Sequence, residues 1–258
     1  MTILDFSAKC SDLRIGSFNV PPLETAPAAL VDSMQSRSRR SPEIDSEQPA
    51  CPLCRAQGVS KFFAGKQRDY LHCPVCGLVF VPPTQFLSAE EEKKRYDLHQ
   101  NSPDDEGYRR FLSRLFIPLK QRLERGSSGL DFGSGPEPTL SLMLEDAGHP
   151  MAIFDLFYNN VPAALNEQYD FITTTEVVEH LREPRRELDR LWACLKRGGW
   201  LGIMTKFAVD RAAFPGWYYK DDPTHIGFFS PAAFAWLAAA WNADLIIPED
   251  DVVLIQKG

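Results

Sequence analysis

The chain has 258 residues, 44% of them apolar, and a formal net charge of −7. That length holds one α/β domain of ordinary size plus a small module, and the acidic balance disfavours a broad duplex-binding surface, which needs a positive face. The longest apolar stretch, Ala232 to Trp241, is about half the ~20 residues of a membrane-spanning helix, and no basic flank precedes an uninterrupted apolar core at the N-terminus, so the expectation is a cytoplasmic protein with no membrane association.

Residues 1–50 read as a flexible leader: Pro21, Pro22, Pro27 and Pro42 interrupt them and no helical or strand period persists. Residues 51–83 form a cysteine module. Cys51-Pro-Leu-Cys54 and Cys73-Pro-Val-Cys76-Gly77 are separated by 18 residues. Each pair puts two thiolates on a tight turn, and the two pairs complete a tetrahedral S4 set that suits Zn2+. Cys10 and Cys194 stand alone, and without an export signal the arrangement favours a metal over disulfides. His72 adjoins Cys73, but four thiolates suffice. A closed set of this kind leaves no open position, so the zinc is expected to be structural and to supply much of the stability of so small a module. Phe62–Phe63 and Leu78–Val81 are its expected strands.

Residues 84–128 read as a helical linker or cap. Ser88, with Glu91 three residues on, is a capping-box start for a helix to Arg95. Tyr108 to Leu123 reads as an amphipathic helix with Phe111, Leu112, Leu115, Phe116 and Leu119 at helical spacing, which Pro118 should end or kink. Residues 129–258 alternate strand and helix. Strands are expected at Gly129–Phe132, Met151–Asp155, Phe171–Thr175, Trp200–Thr205, Asp244–Ile247 and Val252–Gln256, and helices at Thr139–Ala147, Pro184–Leu195 and Pro231–Trp241. The alternation argues for a parallel sheet covered by helices on both faces. Pro248 to Asp251 is too short for a parallel crossover, so the final strand should be antiparallel. The basic run Arg182, Arg185, Arg186, Arg190, Lys196, Arg197 reads as a solvated helix face.

Three stretches carry chemistry. Leu130-Asp131-Phe132-Gly133-Ser134-Gly135-Pro136 follows a strand and precedes a helix, where a nucleotide-like cofactor sits in an open α/β sheet. Gly133 and Gly135, with Ser134 between them, let backbone approach the ligand closely, and Asp131 is placed to position the amino-acid end of a cofactor. Glu137 and Pro138 stand where a dinucleotide fingerprint continues to its third glycine, so a pyrophosphate fits poorly. The next strand ends at Asp155-Leu156, where a carboxylate can accept both ribose hydroxyls. The third stretch is Tyr169 to Leu181, with Glu176, Glu179 and His180 after the strand.

Together with Leu195-Lys196-Arg197-Gly198-Gly199-Trp200, these stretches follow the order and spacing of the class I S-adenosylmethionine-dependent methyltransferases, and the chain from about Tyr108 to Gly258 resembles that family. The resemblance implies a Rossmann-like, mostly parallel sheet and S-adenosylmethionine as cofactor. It places Gly133 and Gly135 against the methionine portion, Asp155 on the ribose, Glu176 to His180 beneath the sulfonium, and Gly198-Gly199 at the turn into the fifth strand. The chain departs from the family after Asp155: Leu156 to Gln168 can hold a short helix or a loop, hardly a helix and a strand. One edge strand is therefore expected to be missing or shortened, with the adenine contact falling to Phe157, Tyr158 or another loop.

On the acceptor side two histidines are candidate bases. His180 follows Glu176 and Glu179; His225 lies in the aromatic segment Trp217 to Phe229, beside Asp221 and Asp222, and is preferred. Tyr96, His99 and Tyr108 are expected to reach the pocket. The leading reading is methyl transfer to a small-molecule acceptor. An RNA-base methyltransferase that uses the cysteine module on RNA is an alternative, disfavoured because Arg55, Lys61, Lys66 and Arg68 are the only lysines and arginines between the cysteine pairs. A non-catalytic cofactor-binding or zinc scaffold is a third reading.

Overall fold

A computed structural model describes residues 49–98 and 102–258, which belong to one compact unit, Ser46–Gly258. The expected leader lies almost wholly outside the described residues.

Two matched turns open the described chain. The Arg55 amide donates to the Cys51 carbonyl and the Gly77 amide to the Cys73 carbonyl, both at 2.9 Å. The residue closing each turn has left-handed backbone, φ 63° at Arg55 and 76° at Gly77. Between the turns, β1 (Ser60–Ala64) and β2 (Asp69–His72) pair antiparallel, and β3 (Val79–Phe80) pairs with β2. The expected strand segments at 62–63 and 78–81 are present; β2 is an addition.

Helix α1 (Ala89–Tyr96) starts with the expected capping box between Ser88 and Glu91. Helix α2 (Glu106–Lys120) starts two residues before Tyr108 because Asp105 caps it, accepting the Gly107 and Tyr108 amides at 2.7 and 3.2 Å. Pro118 lies in its last turn and removes the amide that would bond to the Arg114 carbonyl, and the helix ends two residues later; Arg122 donates to the Pro118 carbonyl at 2.7 Å.

The main sheet then builds up: β4 (Gly129–Phe132), α3 (Thr139–Asp146), β5 (Met151–Phe154), β6 (Tyr169–Thr175), α4 (Pro184–Ala193), β7 (Leu195–Met204), β8 (Gly227–Phe228), α5 (Pro231–Ala240), β9 (Asp244–Glu249) and β10 (Val252–Gln256). Its strand order is β5-β4-β6-β7-β10-β9. The first four are parallel neighbours, while β10 runs antiparallel to both β7 and β9. This is the expected Rossmann-like sheet with an antiparallel final strand. It ends at β5: residues 156–168 hold a single Asp155–Asn159 bridge and a 3-10 turn, Pro162–Asn166, in place of a further strand.

Alternating side chains feed two cores. Phe171 faces Leu112, Leu115, Leu119, Leu140 and Leu144 of α2 and α3, whereas its neighbour Ile172 faces the layer that holds Leu188, Leu191, Phe234 and Leu237 of α4 and α5. Each such fully buried side chain contributes about 1.5–3 kcal/mol. At Gly202 an added Cβ would lie 2.9 Å from Leu115 Cδ1, so glycine lets α2 sit close on β7.

The cysteine module is not a separate bead. Its sheet is completed by β8 from the main domain, in the order β1-β2-β3-β8. Over it Tyr70, Phe214, Trp217 and Phe228 pack edge to face and tilted, with ring centroids 5.0–5.8 Å apart. Among the described residues no helix is long and apolar enough to cross a membrane.

Candidate active site

The sheet order reverses direction between β4 and β6, so the crevice outside their carboxyl ends is the natural ligand position of an open α/β sheet. The loop after β4 bends through two left-handed glycines, Gly133 at φ 79° and Gly135 at φ 67°. A Cβ on Gly133 would meet Val177 Cγ2 at 2.3 Å, which packs this loop onto the one after β6; a Cβ on Gly135 would have nothing within 4 Å. Asp155 sets the loop's shape. One carboxylate oxygen accepts the Phe157 and Tyr158 amides at 2.9 and 3.0 Å, and the other accepts the Gly135 amide at 2.9 Å. Ser134 donates to the Gly135 carbonyl at 3.3 Å.

Asp131 sits within β4, 4% exposed, with its oxygens engaged by the Thr173 hydroxyl at 2.8 Å and the Ser141 hydroxyl at 3.0 Å. It ties β4 to β6 and α3 from inside the fold. Burial raises its carboxyl to about 6, against the lowering by those two hydroxyls. Leu156 is exposed. Tyr108 stacks on Phe111 at the α2 face. His99 lies outside the described residues.

Beyond β6 the chain turns sharply at Glu176, a non-glycine residue at φ 53°, a strain that clusters at functional positions. Glu179 is fully buried. Its Oε2 accepts the Thr205 hydroxyl at 2.9 Å and its Oε1 the Tyr219 hydroxyl at 2.5 Å. The Tyr219 oxygen is also 3.2 Å from Glu176 Oε2. A phenol has one proton to give, and the shorter contact takes it. Burial and then repulsion from Glu179 push Glu176 up to about 8, while burial leads the rise of Glu179. Glu176 Oε1 and the Thr174 and Thr175 hydroxyls, at the carboxyl end of β6, are buried without hydrogen-bond partners.

The two candidate histidines come together here. Their ring centroids are 4.7 Å apart. His180 Nδ1 lies 3.0 Å from the Thr224 carbonyl and His225 Nδ1 2.7 Å from the Tyr219 carbonyl. A carbonyl only accepts, so Nδ1 carries the proton in both rings and Nε2 is the basic nitrogen. Burial lowers the pKa of His225.

Arg68, on the β1–β2 turn, holds the loop that carries His225. Its guanidinium donates to the main-chain carbonyls of Pro223 at 2.9 Å, His225 at 3.0 Å, Asp222 at 2.8 Å and Lys220. Tyr70 adds a hydroxyl bond to the Lys220 carbonyl at 3.0 Å. The cysteine module therefore builds one wall of the site. Helix α1 covers another side. Tyr96 packs between Phe157 and His180, with centroids 5.6 and 5.3 Å away. Asp97 accepts the Tyr158 hydroxyl at 2.7 Å, and Glu92 accepts from Arg182 at 3.1 Å. Sequence reasoning named Arg68 only as a count of basic charge; a lone arginine in a turn carries no local signal for four carbonyl partners.

The four cysteines of the module form a second cluster. Their sulfurs all lie within 4.8 Å of one another, with Cys51–Cys76 at 3.6 Å and Cys54–Cys73 at 3.4 Å. Ligands at a Zn–S length of about 2.3 Å in a tetrahedron stand about 3.8 Å apart, close to this spacing, and all four are free thiols.

No curated protein sequence matches the chain. Solved structures similar to it include magnesium protoporphyrin IX methyltransferase from Synechocystis PCC 6803 with bound SAH, at 14% identity and TM-score 0.47, covering 66% of this chain and 94% of that one. Another is the 1,6-didemethyltoxoflavin-N1-methyltransferase of Burkholderia thailandensis with 1,6-didemethyltoxoflavin and S-adenosylhomocysteine, at 15% identity and TM-score 0.42, covering 76% and 97%. A profile for the methyltransferase domain matches residues 101–246, more than half of the chain and all of the glycine loop, Glu176, Glu179 and both histidines, so the chain belongs to the methyltransferase-domain family.

Proposed function

We propose that the protein transfers a methyl group from S-adenosylmethionine to a small-molecule acceptor and that Cys51, Cys54, Cys73 and Cys76 hold a structural zinc. The observation that carries the reading is the Gly133–Gly135 loop at the switch point, left-handed at both glycines, open at Gly135, and fixed by Asp155. The residues present fit the donor: backbone can approach a ligand at Gly135, and the buried hydroxyls of Thr174 and Thr175 with Glu176 Oε1 offer it polar partners. When bound, S-adenosylmethionine supplies an electrophilic methyl on a sulfonium.

The chain's own work is positioning and the exclusion of water. Asp155 orders the loop through three amides, and its Oδ2, which accepts only the Gly135 amide, keeps a site for a ribose hydroxyl. Phe157 and Tyr96 pack against each other with tilted rings, 5.6 Å between centroids. Glu179, His180 and His225 form the polar end where the acceptor's nucleophile is held. A zinc held by the four cysteines would support the wall that carries Arg68 and, with four thiolates around it, would offer no open position for chemistry.

Photocrosslinking with methyl-labelled S-adenosylmethionine tests the reading. Label on peptides spanning 129–158 or 169–181, lost on competition with S-adenosylhomocysteine, supports it. Label that stays elsewhere, or none on folded protein, overturns it.

A further inference from the structure

We propose that Glu179, His180 and His225 form a second metal site, for a divalent transition ion, at the carboxyl end of β6. A Glu179 oxygen and one ring nitrogen from each histidine lie within 4.8 Å of one another, and His180 Nε2 is 3.9 Å from Glu179 Oε1. Small side-chain movements close such a set onto one ion at about 2.0–2.2 Å from each ligand.

The surroundings are those of a ligand set. Metal-bound imidazoles donate their other N–H to a carbonyl or carboxylate, which fixes the ring and its tautomer. Both histidines here do so, to Thr224 and Tyr219. Glu179 is oriented in turn by Thr205 and Tyr219. The two segments are fastened main chain to main chain, because the Ile226 amide donates to the Glu179 carbonyl at 2.8 Å. Glu176 reaches the set only through the Tyr219 hydroxyl, 3.2 Å from its Oε2, and is not one of the three ligands.

Two imidazoles and a carboxylate suit Mn2+, Fe2+, Co2+ or Zn2+ better than Mg2+ or Ca2+. Three protein ligands leave open positions, unlike the closed thiolate set. On the methyltransferase reading, on which this step alone rests, the open position takes a hydroxyl oxygen of the acceptor. The ion lowers the hydroxyl's pKa and the proton leaves to solvent. The oxygen then forms the new bond to the methyl carbon as the S–CH3 bond breaks, and S-adenosylhomocysteine departs with that electron pair. His225 is then a ligand, and the acceptor belongs to the class of oxygen nucleophiles.

The test titrates the full-length chain, loaded with a single zinc per chain so that only the four-cysteine set is filled, with Mn2+, reads bound ion by the loss of the free-ion spin-resonance signal, and measures S-adenosylhomocysteine binding on the same samples. The expected result is one Mn2+ per chain beyond the zinc of the cysteine module, weakened by about tenfold or more in His180→Ala and in His225→Ala, and unchanged in Lys66→Ala. No Mn2+ site in the wild type, or one that both histidine variants leave unchanged, overturns the proposal. The wild-type titration stands even where a variant fails to fold. Mn2+ binding without S-adenosylhomocysteine binding supports the metal site and overturns the donor reading; the reverse overturns the metal site alone.

Discussion

The four-cysteine cluster draws its ligands from two short turns that each carry a complete half of the set. The cluster at the end of β6 draws Glu179 and His180 from one segment and His225 from another, with α4 and β7 between them. The first is written in local spacing. The second exists only because sheet pairing brings a loop back across the carboxyl end of β6. The two are coupled: β3 of the cysteine module pairs with β8 immediately after His225, and Arg68 grips the carbonyls of the His225 loop.

Breaking the local cluster should have the largest effect. Cys76→Ser removes one of four thiolates from a module with little core of its own. The expected loss is the bound zinc and several kcal/mol of stability, read as metal content by mass spectrometry and as an early unfolding step. Through β3–β8, amides 224–229 should lose protection from hydrogen exchange in the same variant.

Cutting the connection comes next. Arg68→Ala takes a donor from four main-chain carbonyls and leaves Lys220 only the Tyr70 hydroxyl and Asp222 only the His225 amide; it should cost about 2–4 kcal/mol, with faster exchange confined to 219–227. Arg68→Lys should recover little, because an ammonium cannot reproduce the fork. Equal exchange in all three proteins would separate the two regions that are joined here.

The glycine loop sharpens the comparison from the other side. Gly133→Ala combines about 1–2 kcal/mol of left-handed strain with the 2.3 Å approach to Val177 Cγ2, and Val177→Ala should relieve part of it. Gly135→Ala carries the strain alone, so it should lose donor binding out of proportion to stability. Denaturant midpoints and donor affinities for the two variants decide this.

The smallest effect concerns pH. The folded Asp131 pKa, about 6, lies above the value of about 3.9 in an unfolded chain. The unfolded state therefore releases its proton first. The contribution of Asp131 to stability is fully present below about pH 4 and is lost as pH rises through about 6. Asp131→Asn removes that dependence. Its unfolding midpoint should match or exceed the wild type at pH 7.5, with the difference shrinking at pH 5.

Much of the fold was legible. The strand–helix alternation from Gly129, the antiparallel last strand and the missing edge strand all follow from spacing and from link lengths. The short strand β8 was not legible, since two residues carry no period and only pairing with β3 defines them. The start of α2 shifted because Asp105, a cap, outranks the apolar stripe that begins at Tyr108. In the site, Glu176, His180 and His225 were named one by one, but their meeting was not, because proximity across β7 is a property of the sheet. Asp155 was read as a ribose partner from its place at a strand end; its hydrogen bonds to three amides of its own and the neighbouring loop depend on turn geometry that residue types do not encode.

The most direct test of the central claim is calorimetric titration of the zinc-loaded chain with S-adenosylhomocysteine, beside Asp155→Ala. Micromolar binding at a single site, lost in the variant, is the result expected for a methyl-transfer centre at the Gly133–Gly135 loop. Well-folded protein that gives no binding heat across several temperatures would contradict it.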